Sequence, residues 1–175
     1  MARKSQNQLK ALAVAAATAV ITLTVPVASA SAEDQWTDVP FTLRNANSGM
    51  CLDVPGGSGV WGTQLVQWPC NDGANQKFYL SSYNGKPNLR NLATGLCIEV
   101  PGFSNTNGAK VVTWGCNGGD NQSWNYQTYT SAWTRDNTWR NIASGKCLET
   151  ADWRTDAGAP VRQWDCHAGA SQQWR

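Results

Sequence analysis

The sequence predicts an all-β domain, a β-trefoil, built from three copies of one repeat. Three observations predict it: cysteine pairs of equal spacing, a Gln-x-aromatic sequence that closes each copy, and short apolar stretches separated by turn residues. The copies occupy about residues 41–80, 87–126 and 137–175, and each has room for about four strands. Because a propeller needs about four or more blades to close, three such copies favour a closed three-fold barrel.

The cysteines mark the repeat most clearly. In each copy, two cysteines stand 19 positions apart. The pairs are Cys51 with Cys70, Cys97 with Cys116, and Cys147 with Cys166. An even number of cysteines in an exported chain predicts disulfides, and the repeat favours one disulfide within each copy. A zinc site is the alternative, but its ligands typically come as close Cys-x-x-Cys pairs, and the sequence has none.

Other positions recur in register with the cysteines. The recurring arginines, which we expect to be structural, are Arg44, Arg90 and Arg140. The closing aromatic residues, which we expect to fill the core, are Phe78, Trp124 and Trp174. Further core candidates are Leu43, Leu52, Leu89, Ile98, Ile142 and Leu148. The step between copies is 46 and then 50 residues, so four extra residues lie between Trp124 and Trp139. Asn84-Gly85 predicts a two-residue hairpin, because both residues tolerate positive φ.

The first 32 residues have the order of a secretory signal peptide. Its positive residues are Arg3, Lys4 and Lys10. An apolar run of fifteen residues follows at 11–25, and then small residues at 28–32. The run is shorter than the about 20 residues of a membrane-spanning helix, so a retained membrane anchor is the less favoured alternative. We expect cleavage after Ala32, which leaves one domain at 33–175; cleavage after Ala30 is the alternative.

Charge and composition narrow the choice of partners. Residues 33–175 carry 11 Lys and Arg against 12 Asp and Glu, and they contain no basic run. Nucleic-acid-binding proteins have clustered basic surface, so we expect no nucleic-acid partner. We expect a secreted, extracellular monomer that does not insert into membranes and holds neither a cofactor nor a metal.

Three features of the chain resemble the ricin B-chain-like (R-type) lectins, which form carbohydrate-binding module family 13. They are the paired cysteines, the closing Gln-x-aromatic, and the Cys-Leu-Asp-Val at 51–54 with its Cys-Ile-Glu and Cys-Leu-Glu counterparts at 97–99 and 147–149. The resemblance covers about Phe41 to Arg175. It implies a β-trefoil that binds glycan or polysaccharide. In that family, the acid after the first cysteine, the aromatic residue two before the second, and the Asn before the closing Gln bind the sugar.

The residue types suit that chemistry. A sugar presents an apolar C–H face to an aromatic ring, and its hydroxyls donate to a carboxylate and exchange hydrogen bonds with an amide. The resemblance implies sites at Asp53, Trp68, Asn75 and Gln76 in copy one, at Glu99, Trp114, Asn121 and Gln122 in copy two, and at Glu149, Trp164 and Gln172 in copy three. We expect Gln76 to orient Asp53 or its loop.

The three sites rank in chain order. Copy one matches the family's acid, aromatic residue and amide, although Val66 replaces a common further polar contact. Copy two has an acid that is one methylene longer, which shifts its carboxylate in a site where about 1 Å matters. Copy three has Ser171 in place of the Asn and Arg162 four positions before its second cysteine. A solvated surface acid is the alternative for Glu149.

The sequence does not predict an enzyme. His167 is the only histidine, and no Gly-x-Ser-x-Gly motif is present. Glycosidases use two carboxylates across one bond, whereas the repeated acids here lie in different copies. The alternative function is a β-trefoil that binds protein, such as a protease inhibitor, because fold alone does not fix function. The combination of Asp53, Trp68 and Asn75 favours the lectin.

Overall fold

A computed structural model describes residues 35–36, 39–127, 130–131, 134–135, 137–167 and 169–175. These residues form short strands and single 3-10 turns, without an α-helix. The strands are β1 (Gln35–Trp36), β2 (Cys51–Asp53), β3 (Val66–Trp68), β4 (Phe78–Tyr83), β5 (Lys86–Asn91), β6 (Cys97–Glu99), β7 (Val112–Trp114), β8 (Trp124–Gln127), β9 (Thr130–Ser131), β10 (Thr134–Arg135), β11 (Thr138–Asn141), β12 (Cys147–Thr150) and β13 (Val161–Trp164). The 3-10 turns are Pro55–Gly57, Ala74–Gln76, Pro101–Phe103, Asp120–Gln122, Ala151–Trp153 and Ala170–Gln172. In the described part of the chain, no helix has the length and apolar character needed to span a membrane.

Each copy contains one antiparallel strand pair that a disulfide joins. The pairs are β2 with β3, β6 with β7, and β12 with β13. The predicted disulfides are confirmed: they are Cys51–Cys70, Cys97–Cys116 and Cys147–Cys166, each with a Cα–Cα distance of 5.1 Å. In each pair, the first cysteine lies opposite the tryptophan that precedes the second cysteine by two positions. The disulfide therefore holds the strand with the acid against the strand with the tryptophan.

Two strand connections join the copies. β4 and β5 form the predicted hairpin, with Asn84 at φ 51° and Gly85 at φ 75° in its turn. β8 pairs with β11 in the corresponding place between copies two and three. The extra residues of that connection include the short ribbon of β9 with β10. They lie between Trp124 and Trp139, as the step of the repeat predicts.

A ring of backbone hydrogen bonds closes the three copies into a barrel. The amide of Leu65 donates to the carbonyl of Val111 (3.0 Å), Val111 donates to Val161 (3.2 Å), and Val161 donates to Leu65 (2.9 Å). The two ends of the domain also pair, because Arg44 and Arg175 exchange both backbone hydrogen bonds (2.7 and 2.9 Å). The barrel leaves these strands no open edge, and the predicted β-trefoil is confirmed.

Large apolar side chains fill the barrel. The predicted plugs Phe78, Trp124 and Trp174 are fully buried. The predicted core residues are also buried, with the exception of Ile142, which is 36% exposed. That prediction is wrong because Ile142 follows the buried Asn141, so its side chain points outward where the strand turns away. Trp139 takes the core position that leucine fills in the other two copies.

The recurring arginines are structural, as predicted. In each copy, the arginine Nε donates to the carbonyl of the glycine five residues later. The bonds are Arg44 to Gly49 (2.6 Å), Arg90 to Gly95 (2.6 Å) and Arg140 to Gly145 (2.5 Å). These glycines have φ of 68–70°, where a residue with a Cβ is disfavoured. The arginine thus fixes the turn that leads into the strand with the first cysteine.

Candidate functional sites

All three sites share one hydrogen-bonded frame around the acid. The Nε2 of the glutamine before each closing aromatic residue donates to one carboxylate oxygen at 2.8 Å. The pairs are Gln76 with Asp53, Gln122 with Glu99, and Gln172 with Glu149. The glutamines are fully buried, so they orient the acid and do not face solvent. This geometry agrees with the orienting role expected of Gln76.

The turn before each glutamine is tied to another copy. In each case the buried asparagine of the Arg-Asn pair donates its amide to a carbonyl in that turn. The bonds are Asn91 to Asn75 (3.0 Å), Asn141 to Asn121 (3.0 Å) and Asn45 to Ser171 (2.9 Å). Copy two thus holds the turn of copy one, copy three that of copy two, and copy one that of copy three. The position of each candidate amide depends on the closed barrel.

A hairpin from a neighbouring copy lies beside each tryptophan. A Cβ added at its glycine would lie 3.6–3.7 Å from Cζ3 of the indole. The neighbours are Gly158 with Trp68, Gly62 with Trp114, and Gly108 with Trp164. Sequence reasoning missed this contribution. The glycine recurs in register, but the sequence does not show that it faces the site of a different copy.

Site one is an open pocket of about 470 Å³. It is lined by Asp53, Pro55, Gly56, Val66, Trp68, Asn71, Asn75 and Gly158. Asn75 Nδ2 donates to Asp53 Oδ2 at 2.9 Å, beside the bond from Gln76. Asp53 Oδ1 accepts no hydrogen bond from the described residues, and the Trp68 side chain is 45% exposed. The structure thus brings the predicted acid, ring and amide together, with one carboxylate oxygen unpaired.

Burial changes the acidity of this site. It raises the pKa of Asp53 above its usual 3.8, and the hydrogen bonds from Gln76 and Asn75 oppose that rise. The carboxylate has only neutral amides as partners. A sugar hydroxyl that takes the place of water can therefore donate a favourable hydrogen bond to the unpaired oxygen of this carboxylate.

Site two has the same frame with a less accessible amide. Asn121 is buried, and its Nδ2 donates to the carbonyl of Val100 at 3.0 Å. Burial raises the pKa of Glu99 too, against the amides of Gln122 and Asn121. The indole of Trp61, from copy one, packs on Trp114 with ring centroids 5.2 Å apart.

Site three is filled by charged side chains of the protein itself. Arg162 donates to Glu149 Oε1 from Nη2 (3.0 Å) and Nε (3.2 Å). Oε2 contacts His167 Nε2 (3.0 Å) and accepts from Gln172. Both carboxylate oxygens are therefore paired. Glu149 is a buried ion-pair partner, so the alternative of a solvated acid is wrong.

The aromatic ring and the amide position of site three are also changed. The guanidinium carbon of Arg162 lies 4.2 Å from the centroid of Trp164, and Arg162 forms a second ion pair with Asp152 at 3.0 Å. Ser171 is fully buried, and its Oγ has no partner among the described residues. An arginine thus occupies the ring face where a sugar would stack.

Exposed aromatic residues near sites two and three were missed by sequence reasoning. Phe103 and Trp153 follow the acids of copies two and three by four positions, where copy one has Gly57. Both have positive φ, 54° and 56°, and both are exposed. Bulky residues rarely adopt this conformation. The signal in the sequence was their alignment with a glycine.

Comparison with known proteins agrees with the architecture. The model of the ricin-type β-trefoil lectin domain matches residues 39–174. Among solved structures, the designed three-fold symmetric protein ThreeFoil is similar, at 30% identity and a TM-score of 0.71, over 78% of this chain and 96% of that one. An exo-β-1,3-galactanase from Clostridium thermocellum is 28% identical, with a TM-score of 0.71 over 79% of this chain but only 30% of the enzyme.

A lectin complex shares the fold at lower identity. The C-terminal half of the earthworm R-type lectin, solved with GalNAc, is 18% identical with a TM-score of 0.62, over 78% of this chain and 95% of that one. No curated protein sequence matches the chain. The family match spans most of the chain and coincides with the three disulfide-linked copies of the barrel. The chain therefore belongs to the ricin-type β-trefoil lectin domain family.

Proposed function

We propose that this protein is a secreted carbohydrate-binding module without catalytic activity, and that site one is its principal sugar site. The observation that carries the proposal is the pocket of site one. There, Asp53 presents an unpaired carboxylate oxygen beside the exposed ring of Trp68 and the amide of Asn75.

Each group has a distinct role in the proposed complex. Trp68 stacks on the apolar C–H face of one sugar ring. Asp53 Oδ1 accepts from ring hydroxyls, and such charge-assisted hydrogen bonds are about twice as strong as neutral ones. Asn75 already donates to Asp53 and Val54, so its Oδ1 accepts a further hydroxyl. The disulfide and Gln76 hold the acid in place before the sugar arrives, which lowers the entropic cost of binding.

The pocket is open on one side, so its affinity for one sugar ring is expected to be weak. A millimolar dissociation constant corresponds to about −4 kcal/mol. Useful retention then requires a polymer that contacts sites one and two of the same molecule, because the second contact is intramolecular. The signal-peptide pattern of residues 1–32 and the three disulfides support the proposed secretion.

A glycan array followed by titration tests the proposal. We expect binding to a restricted set of glycans, with lactose, GalNAc and β-1,3-galactan as the first probes because lectins and a galactanase share the fold. Asp53→Ala and Trp68→Ala are each expected to weaken the binding. A protein that binds no glycan but inhibits a protease in a parallel assay would instead be a protein-binding β-trefoil.

A further inference from the structure

The hairpins that lie beside the three tryptophans differ at one position. Directly before its glycine, each has another residue type: Ala157 beside site one, Trp61 beside site two and Asn107 beside site three. Each comes from a different copy than the site it adjoins. The acid, tryptophan and glutamine are common to all three sites, so this position distinguishes them.

The residue that faces the hairpin changes with it. At site three, Asn107 exchanges two hydrogen bonds with Asp165, at 2.7 and 3.0 Å. At site two, the position of Asp165 is taken by Gly115. A Cβ there would lie 2.7 Å from Cζ2 of Trp61, so only glycine leaves room for the indole. The indole of Trp61 therefore packs against the backbone of site two at a position where the other two copies have a side chain.

The Trp61 ring is held in place yet remains open to solvent. Its hairpin is fixed by backbone hydrogen bonds from Gly62 to Thr113 (2.7 Å) and from Thr113 to Thr63 (2.9 Å). The ring is tilted 44° to that of Trp114, and 57% of the residue is exposed. A tryptophan that served only packing would bury more of its surface.

A third aromatic residue adjoins the same site. Phe103 lies over Gly119, where an added Cβ would be 3.4 Å from its Cζ. It is 60% exposed and has a positive φ. The corresponding Gly57 and Trp153 also have positive φ, so this turn is a feature of the repeat. Site two therefore combines the acid Glu99 with three exposed or partly exposed rings from two copies.

We infer that site two binds a run of linked sugar residues, with Trp61 and Trp114 stacking on neighbouring rings of one polysaccharide chain. Site one, which has one indole and Ala157 at the hairpin position, binds a single ring. This inference rests on the proposed function. It assigns Trp61 as the residue that makes site two selective for a chain over a monosaccharide.

The test uses the full secreted protein with Asp53→Ala, which silences site one. Native gels containing soluble β-1,3-galactan, arabinoxylan or galactomannan measure polysaccharide retention, and calorimetric titration with the monosaccharide GalNAc measures binding of a single ring. With Trp61→Ala added, we expect retention on the preferred polysaccharide to fall at least about fivefold, while GalNAc affinity stays within about twofold. Trp61→Phe should retain most of the binding, and Asn107→Ala, at the same position beside site three, should behave as the parent.

Four outcomes would overturn the inference. Unchanged retention in Trp61→Ala removes its role, and tighter binding shows that Trp61 covers the ring of Trp114. Equal losses for polysaccharide and GalNAc make Trp61 part of a single-ring site. A change from dimer to monomer on sizing columns assigns the aromatic surface to contact between copies of the protein. If the wild type is retained by none of the three polysaccharides and by no glycan on the array, the proposed function itself fails.

Discussion

Sites one and three have the same backbone frame, but the carboxylate of site one lines an open pocket and that of site three is covered by charged side chains. In both, a strand residue two positions after the first cysteine holds a carboxylate against a buried glutamine at 2.8 Å. Site one leaves one carboxylate oxygen unpaired in an open pocket, whereas site three pairs both oxygens with Arg162, His167 and Gln172. The fold thus supplies the place for a ligand, and a few neighbouring side chains decide whether the place is open.

Three substitutions between the copies account for the difference. The positions of Val66, Asn71 and Asn75 in copy one are taken by Arg162, His167 and Ser171 in copy three. An arginine beside a buried carboxylate satisfies it with charge-assisted hydrogen bonds. A sugar would have to displace those bonds, and leaving a buried charge unpaired is costly. Site three is therefore an ion-pair cluster on the frame that holds the candidate sugar site of copy one.

The largest expected effect is on stability. Glu149→Gln removes the charge that Arg162 contacts and should lower the free energy of unfolding by about 2–3 kcal/mol. Asp53→Asn removes a charge whose partners are neutral amides, so it should cost less than about 1 kcal/mol. Urea denaturation of both variants measures the difference. Equal losses of unfolding free energy would show that the two carboxylates contribute equally to stability.

The next effect is on sugar binding, and here the substitution in site one is expected to have the larger effect. Asp53→Ala should weaken sugar binding at least about tenfold, because hydrogen bonds to a charged group contribute about 1.5–3 kcal/mol each. Glu149→Ala should leave the affinity unchanged in protein that is still folded at the assay temperature. Calorimetric titration with the best glycan from the array measures both. A loss in Glu149→Ala equal to that in Asp53→Ala would mean that site three binds sugar.

The repeat explains how much of this could be predicted from sequence. Register alone predicts the disulfides, the barrel and the closing aromatic plugs, whereas the ranking of site one above site three depends on the resemblance to the R-type lectins and stays a prediction. Register also aligns Ile142 with Ala46 and Leu92, which lie outside the core. The prediction for Ile142 was wrong because it relied on the apolar side chain and not on this alignment. The contacts of Trp61 with Trp114 cross from one copy to another, and they follow from barrel closure, which no local pattern encodes.

A third, smaller effect is the opening of site three. Glu149→Asp, Arg162→Val, His167→Asn and Ser171→Asn together copy the side chains of site one into copy three. In an Asp53→Ala background, this variant should regain sugar binding to within about tenfold of the original site one. The matched control is Arg162→Lys in the same background, which keeps a cation near the carboxylate and should not restore binding. Failure of the fourfold variant, if folded by circular dichroism, would show that Trp153, which stands where copy one has Gly57, or the hairpin of copy two still closes site three.

The smallest effect is the loss of sugar affinity as the pH falls. Burial raises the pKa of Asp53 above 3.8, with Gln76 and Asn75 opposing the rise. The unpaired Oδ1 of the ionised Asp53 carboxylate is the acceptor for sugar hydroxyls, so affinity is full above the raised pKa and is lost as the pH falls through it. Burial raises the pKa of Glu99 as well, so Glu99→Ala isolates site one. Titrations across a pH series, with carboxyl ¹³C shifts of Asp53 followed by NMR, should give one shared midpoint above 3.8. A midpoint at or below that value would mean that water, and not a buried pocket, surrounds the acid.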